Sequence, residues 1–464
     1  MSLQFKNTLT GKKEDFTPIS QGKVRLYTCG PTVYNFAHIG NFRTFMFEDL
    51  LRRYLKYKGF QVTQVMNITD IDDKIIRDSQ AQGKKLREFT DPYTEAFFQD
   101  LDTLGIERAE IYPRATDHIS EMVAIIKTLV ARGMAYEVDG NYYFKISSFP
   151  DYGKLAKIDT ATLKPGARVA TDEYEKESVS DFALWKAWDE KDGDIYWETE
   201  IGKGRPGWHL ECSAMSMKYL GDRFDIHTGG VDNIFPHHEN EIAQSEGCTG
   251  HPFVNYWLHA EHLIVEGRKM SKSLGNYFTL RDLLDKGYSG TAVRYVLVAT
   301  HYRQQLNFTF QGLDAAAAAL QRYNDFIRNL ESHPGGQSDG SAPEVLRTAR
   351  ERFESELDDD LNISGALGVV FDFIRDMNRL RADGTLSTED VRAALELIRS
   401  FDTVLGFELK TESLDEEIER LIAQRTEARR TRDFATADRI RDDLVSRGIV
   451  LEDTPQGVKW KRKV

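Results

Sequence analysis

Long apolar runs, cysteine pairs and leader-type patterns are all missing from this sequence. No stretch of its 464 residues approaches the run of about eighteen apolar residues that a membrane-spanning helix needs. The first residues, MSLQFKNTLTGKKEDF, contain neither the apolar segment of a secretory signal nor an Arg-rich transit pattern. Three cysteines without a CxxC pair support neither a disulfide framework nor a zinc finger. We therefore expect a cytoplasmic protein that does not contact membranes.

The composition is that of a globular protein with about three domains, since 41% of the residues are hydrophobic and 29% are charged. A formal net charge of −13 argues against nonspecific binding of nucleic acid through the overall field. It still permits a local basic surface, and from Arg420 onward the tail has twelve Arg and Lys against seven Asp and Glu. This tail is either a solvated helix with i,i+4 ion pairs or a surface that faces RNA, with Trp460 as a stacking group.

The N-terminal part has the pattern strand, loop, helix, strand. Residues 24–29 (VRLYTC) predict a buried strand, and the loop GPTVYNFAHIGN follows. Apolar residues from Phe42 to Leu55 keep helical spacing until Gly59 ends the helix, and QVTQVMNIT predicts the next strand. This order is one half of a doubly wound α/β fold, which binds ligands at such loops.

Between about residues 91 and 204 the pattern changes, which predicts an insertion into the α/β core. A helix is expected at 118–131, and Asp139-Gly140 between two strand-like runs predicts a hairpin. Strand-type signals resume with GWHLECS, FDIHTGG and YWLHAEHLIV, as expected if the sheet is completed after the insertion. From about Phe310 onward the sequence predicts a helical bundle.

Four side chains of metal-binding type lie in distant segments of the chain: Cys29, Cys212, His237 and Glu241. Thiolate, imidazole and carboxylate all bind Zn²⁺, and a mixed set from distant segments is more typical of a catalytic site than of a closed structural site. On a helix opened by Pro236, His237 and Glu241 would share one face, but His238 with Glu241 fits almost as well. Helix geometry therefore leaves the choice of histidine open. Taken singly, each residue also has an ordinary explanation, as a buried free cysteine or a polar helix start.

Two loops have the composition of nucleotide-binding segments. His38-Ile39-Gly40-Asn41 follows the first predicted strand, where glycine lets the backbone approach a phosphate and a helix N-terminus supplies donors. Residues 269–276, KMSKSLGN, contain two lysines, two serines and a glycine that can surround a triphosphate and neutralise its charge. A basic surface loop would explain the second segment alone, but both loops in this order favour ATP.

On these residues the chain resembles the cysteinyl-tRNA synthetases, a family of class I aminoacyl-tRNA synthetases, over nearly its whole length. HIGN is similar to the HIGH signature of that class, and KMSKS matches its second signature letter for letter. Further phrases resemble cysteinyl enzymes and their nearest relatives: TCGPTVYNFAHIGN, NITDIDDKI, DFALWK, GRPGWHLECS, FPHHENEIAQ and YWLHAEHL. The resemblance implies activation of L-cysteine by ATP to cysteinyl-adenylate and transfer to the 3′ end of tRNA-Cys.

The resemblance also implies one zinc ion per chain, held by Cys29, Cys212, His237 and Glu241, which favours the i,i+4 histidine. The ion would bind the thiolate of the substrate and select cysteine over serine, because an alcohol is a poor zinc ligand at neutral pH. Pockets without a metal discriminate such near-isosteres poorly. Editing of mischarged tRNA should then be unnecessary.

Roles for further residues follow from the same resemblance. Thr69 and Trp208 are expected to line the cysteine pocket, and Mg²⁺ to accompany ATP in a monomeric enzyme. The expected catalytic residues are His38, Asn41, Lys269 and Lys272. The expected ATP site adds Gly40, Gly230, Asp232 and Ser271. The expected tRNA contacts are Arg429, Arg430, Arg439 and Trp460. Two positions depart from the family pattern, since Asn41 replaces the last histidine of HIGH and Thr228 replaces a glycine of some relatives.

The expected architecture is α/β: a doubly wound, Rossmann-like parallel-sheet core with an insertion, then an α-helical bundle and a small C-terminal domain. The catalytic domain is expected at 1–95 and 200–310, and the connective insertion at 96–199. The bundle, of the DALR type, is expected at 311–410, and the anticodon-binding domain at 411–464.

Two other functions compete with this interpretation. A paralogous ligase uses the same adenylation site to join cysteine to an amino sugar, but such enzymes lack the full anticodon-binding tail. Here RRTRDFATADRIRDDLVSRGI resembles the C-terminus of a synthetase. A non-catalytic tRNA-binding protein would keep the fold without the chemistry. The intact KMSKS segment and the four metal-type residues argue against that alternative.

Overall fold

The computed structural model of the protein describes residues 2–158, 168–169, 181–407, 414–431, 433–446, 449–454 and 457–462. Its strands are β1 (Gln4–Asn7), β2 (Lys12–Asp15), β3 (Lys23–Thr28), β4 (Gln61–Met66), β5 (Ala135–Val138), β6 (Asn141–Phe144), β7 (Arg168–Val169), β8 (Asp181–Ala187), β9 (Trp197–Thr199), β10 (Gly202–Pro206), β11 (Phe224–Gly230), β12 (Val254–Ala260), β13 (Leu263–Val265), β14 (Arg268–Lys269), β15 (Leu306–Phe308), β16 (Ile449–Thr454) and β17 (Gly457–Arg462). Its helices are α1 (Ile39–Tyr57), α2 (Asp73–Ala81), α3 (Leu86–Thr103), α4 (Ile119–Ala131), α5 (Trp208–Leu220), α6 (Glu239–Thr249), α7 (Leu280–Asp285), α8 (Gly290–Ala299), α9 (Phe310–Glu331), α10 (Ala342–Asp358), α11 (Ile363–Ala382), α12 (Thr388–Leu405), α13 (Leu414–Arg430) and α14 (Phe434–Ser446).

The centre of the fold is a four-stranded parallel sheet in the order β12-β11-β3-β4. α1, which connects β3 to β4, packs in one hydrophobic core with Leu26 and Val62, whereas α6, which connects β11 to β12, packs in another with Tyr27 and Trp257 on the opposite face of the sheet. The chain therefore leaves two adjacent strands in opposite directions. Such a switch point is where doubly wound sheets bind ligands. The predicted doubly wound α/β class is confirmed.

The first helix matches its predicted pattern. α1 is buried along most of its length, which the apolar spacing from Phe42 to Leu55 predicts. It ends at Tyr57, and Gly59 then adopts φ 87°, a left-handed conformation that favours glycine. The N-terminus of this helix is thereby fixed at the carboxyl end of β3.

Buried arginines hold α1 against α8. Arg43 donates to the carbonyl oxygens of Leu297 and His301 at 2.6 and 2.8 Å. Arg294 of α8 lies 2.6 Å from the carboxylate of Asp49. These contacts fix the helix that begins at HIGN relative to the elements that follow the KMSKS segment.

The insertion contains an antiparallel sheet in the order β5-β6-β8-β10-β9, with the short β7 beside β8. β5 and β6 form the predicted hairpin. Asp139 and Gly140 at its turn have φ of 52° and 80°, which a two-residue turn of this kind requires at both positions. α4 begins at Ile119, one residue after its predicted start.

Two segments near the switch point differ from the sequence prediction. The strand expected at GWHLECS is wrong, because this segment opens a helix, α5, at Trp208. A helix that is buried on nearly all sides has no amphipathic pattern to reveal it. The helix expected to open at Pro236 begins instead at Glu239, because residues 234–238 form an irregular turn in which Phe235 is extended.

The C-terminal part is helical, as predicted. Helices α9 to α12 pack around aromatic side chains that include Phe326, Phe353, Phe373 and Phe401. α13 and α14 form a separate small core with the hairpin β16-β17: Ile418, Ile422, Ile440, Leu444 and Ile449. Among the described residues, no helix combines the length and the apolar character that crossing a membrane requires.

Glu48 of α1 is a buried carboxyl group with a single hydrogen bond. It is 0% exposed and accepts from Thr228 Oγ1 at 2.8 Å, while its other oxygen has no partner. Burial raises its pKa from 4.5 to about 8. As pH rises from 4.5 to 8, the folded protein therefore retains a proton that the unfolded chain has lost, and this difference destabilises the fold.

We expect Glu48→Gln to stabilise the protein, because the amide is neutral at every pH. The gain in the free energy of unfolding should be small at pH 4.5 and on the order of 3 kcal/mol at pH 7. Urea unfolding at the two pH values measures this gain, with the exposed Glu95→Gln of α3 as the control. Equal gains at both pH values would contradict the prediction.

Candidate functional site

The switch point brings two loops together at the carboxyl ends of β3 and β11. Cys29 and the loop that leads to His38 follow β3. Gly230 is the last residue of β11, and Asp232 lies in the loop that follows it. The backbone N–H of Cys29 donates to the carbonyl oxygen of Thr228 at 3.3 Å. Residues from both halves of the discontinuous core are therefore adjacent here.

The structure brings Cys29, Cys212, His237 and Glu241 together, with their donor atoms within 4.8 Å of one another. Nε2 of His237 lies 3.1 Å from Oε1 of Glu241. Cys29 is half-buried, and the other three residues are buried. Two thiols, an imidazole and a carboxylate form a donor set that suits Zn²⁺.

A second set shares two of these residues, since Cys29, His227, His238 and Glu241 also lie within 4.8 Å of one another. Nε2 of His238 is 3.2 Å from Sγ of Cys29 and 3.9 Å from Oε1 of Glu241. Nε2 of His227 lies 3.0 Å from Oε2 of Glu241. The distances alone therefore leave both His237 and His238 within reach of a shared ion.

His238 belongs to a chain of hydrogen bonds that starts at Thr8. Oγ1 of Thr8 lies 2.7 Å from Nδ1 of His259, and Nε2 of His259 lies 2.8 Å from Nδ1 of His238. Burial lowers the pKa of His238 well below its usual value and the pKa of His259 to about 3, so both rings are neutral. A neutral ring donates from one nitrogen only. The chain therefore donates in one direction, either toward Cys29 or away from it.

Cys29, Cys212 and Glu241 are acidic groups whose negative charges would repel one another in this cluster. The hydrogen bond between the two thiols lowers the pKa of Cys212 well below its usual value and raises the pKa of Cys29. Burial raises the pKa of Glu241 well above its usual range, and Cys212 adds to the rise. Oε1 of Glu241 is buried and accepts no hydrogen bond. A divalent cation would let all three groups ionise together and would satisfy this oxygen, so these residues fit a metal.

The two residues expected at the cysteine substrate border this cluster. The ring of Trp208 stacks on His237 with centroids 4.3 Å apart. Thr69 is 1% exposed, and its hydroxyl donates to Glu211 Oε2 and accepts from Asn67 Nδ2, each at 3.1 Å. Glu211 and Asn67 are therefore further residues of the site.

Gly30 makes this arrangement possible. Its N–H donates to Oδ1 of Asn67 at 2.9 Å. A Cβ at this position would lie 1.8 Å from the carbonyl oxygen of Asn67, so a side chain would collide with backbone. The loop after β3 thus approaches the loop after β4 as closely as only glycine allows.

The side chains of His38 and Asn41 cap the N-terminus of α1, because each accepts a hydrogen bond from the backbone N–H of the other residue. The N–H of Asn41 donates to Nδ1 of His38, and the N–H of His38 donates to Oδ1 of Asn41, each at 3.1 Å. Burial lowers the pKa of His38 to about 4, so its ring is neutral. Because Nδ1 accepts, the proton of the ring lies on Nε2, where it can donate to a phosphate. Asn41 caps with its oxygen and carries its donor hydrogens on Nδ2.

The KMSKS segment lies against the HIGN turn. The methyl carbon of Met270 lies 3.1 Å from the position that a Cβ on Gly40 would take. The ring of Tyr277 meets His38 edge to face at 5.2 Å, and Nζ of Lys272 lies 5.1 Å from the centre of the same Tyr277 ring. The two predicted nucleotide loops are therefore adjacent in space.

Asn276 holds the KMSKS loop closed. Its Oδ1 accepts from the N–H of Ser271 at 2.9 Å, and its Nδ2 donates to the carbonyl oxygen of Lys269 at 3.1 Å. The hydroxyl of Ser271 accepts from the N–H of Leu274 at 3.3 Å, so here it caps a turn. Lys269 and Lys272 are exposed. The fold of the loop thus presents both charges to solvent.

Gly230 and Asp232 lie near the first turn of α1, since a Cβ on Gly230 would lie 3.8 Å from Oγ1 of Thr44. A Cβ on Gly230 would lie 2.3 Å from Oδ1 of Asp232, so the carboxylate fills the space beside the backbone. Asp232 is close enough to His38 to influence the charge of that imidazole.

The residues expected to contact tRNA lie in the C-terminal unit. Arg429 of α13 and Arg439 of α14 are exposed, and Arg439 borders a groove of about 490 Å³ between the two helices. Trp460 of β17 is half-buried and packs on the small core beneath the hairpin. The side chain of Arg430 lies outside the described part of the chain.

His227, His259 and Asn276 are not predicted from the sequence. His227 and His259 lie on adjacent strands, where Gly229 pairs with His259 in register. Only the strand register brings them together, and no spacing in the sequence encodes that register. Asn276 could be found from its place in KMSKSLGN, because an amide at the end of a loop can bridge both of its sides.

Three family matches divide the chain. Residues 15–318 match the catalytic domain of class I (C) tRNA synthetases, and residues 352–410 match the DALR domain. Residues 411–460 match the anticodon-binding domain of cysteinyl-tRNA ligase.

Individual relatives are similar over the whole length. The chain is 52% identical over 468 residues to the cysteine–tRNA ligase of Protochlamydia amoebophila, which covers 99% of this chain and 98% of the relative. It is also 52% identical over 471 residues to that of Brachyspira hyodysenteriae, with 99% of each chain covered. Among solved structures, methionyl-tRNA synthetase of Mycobacterium tuberculosis in complex with methionyl-adenylate has a TM-score of 0.62 at 15% identity, covering 86% of this chain and 94% of that one. This last likeness shows a shared fold.

Proposed function

Since this chain belongs to the cysteine–tRNA ligase family of class I aminoacyl-tRNA synthetases, we propose that a zinc ion selects its amino acid. The enzyme activates L-cysteine with ATP as cysteinyl-adenylate and transfers the cysteinyl group to the 3′ end of tRNA-Cys. Within this activity, Cys29, Cys212, His237 and Glu241 would hold one zinc ion per chain. The observation that carries the proposal is the buried Oε1 of Glu241, which accepts no hydrogen bond among two thiols and an imidazole.

His237 is the histidine that we place on the metal. Its Nε2 lies 3.1 Å from Oε1 of Glu241 without a hydrogen bond between them, as two ligands of one ion would lie. Its ring also stacks on Trp208, beside the expected substrate pocket. Its Nδ1 lies 2.9 Å from Nδ1 of His209, which can fix the tautomer of a metal-bound ring.

His238 suits an orienting role. A metal-bound thiolate at Cys29 has no proton to give, so the chain from Thr8 through His259 and His238 would donate toward the sulfur. The neutral ring of His227 faces two acceptors, Oε2 of Glu241 at 3.0 Å from Nε2 and the carbonyl oxygen of Thr228 at 3.2 Å from Nδ1, and we assign its single proton to Nε2, beside the carboxylate. Both neutral imidazoles then stabilise ligand charge without occupying the ion.

When bound, zinc supplies a Lewis acid that favours the thiolate form of cysteine and has little affinity for the hydroxyl of serine. The residues around it orient the substrate. Trp208 covers His237, and Thr69 is held by Asn67 and Glu211, so both walls of the pocket are fixed before the substrate enters. Selection at this first step would make editing unnecessary.

We propose that the HIGN turn and the KMSKS loop bind ATP, with Mg²⁺ accompanying the phosphates. His38 and Asn41 donate from Nε2 and Nδ2 at a helix N-terminus, a position that favours anions. The carboxylate of cysteine attacks the α-phosphorus and pyrophosphate leaves. Lys269 and Lys272 neutralise the charge that develops on the leaving group. Gly40, Gly230, Asp232 and Ser271 complete the expected nucleotide site.

We assign recognition of tRNA to the residues after 310, with the bundle at 311–410 and the anticodon-binding domain at 411–464. The catalytic domain at 1–95 and 200–310 would carry the connective insertion at 96–199.

The three cysteines are unpaired, which agrees with a cytoplasmic location. We further propose that the enzyme acts as a monomer.

The test of zinc selection compares cysteine with serine. Purified enzyme should contain about one zinc per chain, charge tRNA-Cys with cysteine and give negligible charging with serine. Removal of the metal by a chelator should abolish cysteine activation, and added zinc should restore it. Undiminished cysteine activation by metal-free enzyme would rule out the proposed role of the metal.

We expect the double substitution Arg429→Ala and Arg439→Ala to weaken tRNA binding by about tenfold at moderate salt, because each arginine would lose a phosphate contact. The slope of log affinity against log salt concentration should fall by about two. Titration of tRNA-Cys at several salt concentrations measures both quantities. Arg87→Ala on α3, which removes an exposed arginine paired with Asp117 outside the residues assigned to tRNA recognition, is the matched control. An unchanged slope would exclude phosphate contacts at these positions.

A further inference from the structure

The segment around the loop after β3 is depleted of acidic residues in an acidic chain. About one residue in six of the whole sequence is Asp or Glu, yet none occurs from Phe16 to Phe47. Within this segment the loop at 30–38 carries two aromatic residues, Tyr34 and Phe36. Aromatic rings on a segment without acidic side chains favour contact with nucleic acid.

Each of these two rings has a cation over its face. Nζ of Lys74 lies 5.6 Å from the centre of the Tyr34 ring, and Cζ of Arg281 lies 4.7 Å from the centre of the Phe36 ring. Phe36 also meets the ring of Tyr93 edge to face at 5.4 Å. Despite these contacts Phe36 is 40% exposed, one of seven large hydrophobic side chains exposed in the described part of the chain.

We propose that Phe36, supported by Arg281 and Tyr93, is the surface on which an unpaired base of the tRNA 3′ end stacks beside the active site. The 3′ end of a tRNA is single-stranded, and proteins bind single-stranded nucleotides by stacking bases on aromatic rings next to cations. Phe36 lies two residues before His38, which belongs to the proposed nucleotide site. The transfer reaction requires the last nucleotides of tRNA to reach that site.

The contacts of Arg281 favour recognition of a base over recognition of a phosphate. Nη2 of Arg281 donates to the carbonyl oxygen of Ala96 at 3.2 Å and lies 3.1 Å from Oδ1 of Asp100. Its charge is thus partly compensated, and its guanidinium supports the ring of Phe36 from one side. The contribution of Phe36 should therefore be nearly independent of salt, whereas phosphate contacts weaken as salt rises.

The experiment measures binding of two RNAs to the full-length enzyme: tRNA-Cys and the same tRNA without its last three nucleotides. Phe36→Ala should weaken binding of intact tRNA by about tenfold and leave binding of the shortened tRNA unchanged. Phe36→Tyr keeps the ring and should bind both RNAs like the parent enzyme. Ile19→Ala, which removes another exposed apolar side chain ahead of the amino end of β3, is the matched control.

ATP–pyrophosphate exchange supplies the second measurement, because it reports adenylate formation without tRNA. Exchange by Phe36→Ala should match the parent enzyme. Equal weakening for both RNAs, or no weakening for either, would overturn the proposal. A raised KM for ATP would also overturn it, since the ring would then stack on the adenine of ATP. If the proposal that zinc selects cysteine were wrong, the KM for cysteine would change instead. The exchange assay therefore tests the zinc proposal and the stacking proposal independently.

Discussion

Replacing Cys212 with serine should remove zinc from the enzyme and lower kcat/KM for cysteine by more than about 100-fold. Substitutions of residues that only orient a metal ligand cost up to about 100-fold, and loss of the ligand itself should cost more. Cys212 is 1% exposed, and its contact with Cys29 lowers its pKa well below the usual value, so it is poised to bind as a thiolate. The hydroxyl of serine has nearly the same shape but is a poor ligand at neutral pH. Metal content per chain and steady-state kinetics for cysteine measure the two effects.

Cys248→Ser is the matched control, because Cys248 is a half-buried cysteine of α6 outside the cluster. This variant should retain both zinc and activity. The same assay separates the two histidines, since His237→Ala should lose the metal while His238→Ala should keep it at about 10- to 100-fold lower affinity. Full zinc content in the Cys212 variant would refute the ligand set.

Replacing Lys272 with methionine should lower kcat of adenylate formation by about 10²- to 10³-fold, with a smaller effect on KM for ATP. Lys272 is exposed and lies over the ring of Tyr277. Methionine also has an unbranched side chain, so the substitution removes mainly the positive charge. That charge acts mainly when pyrophosphate departs, which places its effect in the transition state. ATP–pyrophosphate exchange at varied ATP measures kcat and KM separately.

Lys286→Met provides a close control for this substitution. Lys286 is also an exposed lysine, with its Nζ 5.9 Å from the centre of the Phe310 ring, but it lies outside both nucleotide loops. It should leave exchange unchanged. If Lys272→Met raised KM for ATP and spared kcat, the lysine would bind ATP equally in the ground state and in the transition state.

Periodicity predicts the elements that are buried on one side or bounded by turn residues. α1 keeps helical apolar spacing up to Gly59, and Asp139-Gly140 adopts the turn that its composition predicts. α5 escapes this reasoning because it is buried nearly all round, including Glu211 and Ser213. A helix without a polar side gives no 3.6-residue signal. The irregular turn before α6 likewise has no periodic pattern, so its start is misplaced in the prediction.

The candidate site is predictable in its chemistry and less so in its geometry. The thiol and imidazole types of Cys29, Cys212 and His237 point to a metal before any fold is known. The choice between His237 and His238 cannot come from spacing, because the turn that carries them is not helical throughout. His259 is reached only through the register of two parallel strands, which depends on contacts between distant segments.

The contact of Thr8 with His259 links the segment that follows β1 to the proposed metal site. Thr8 is held there by its backbone N–H, which donates to the carbonyl oxygen of Trp257 at 2.8 Å, and by its neighbour Asn7, which donates to the carbonyl oxygen of Asn255 at 2.9 Å. Proteolytic cleavage after residue 8, or a truncation that removes it, would eliminate the contact between Thr8 and His259 at the outer edge of the sheet. Loss of Thr8 would thereby reach Cys29 through His259 and His238, and would change the affinity of the proposed site for its metal.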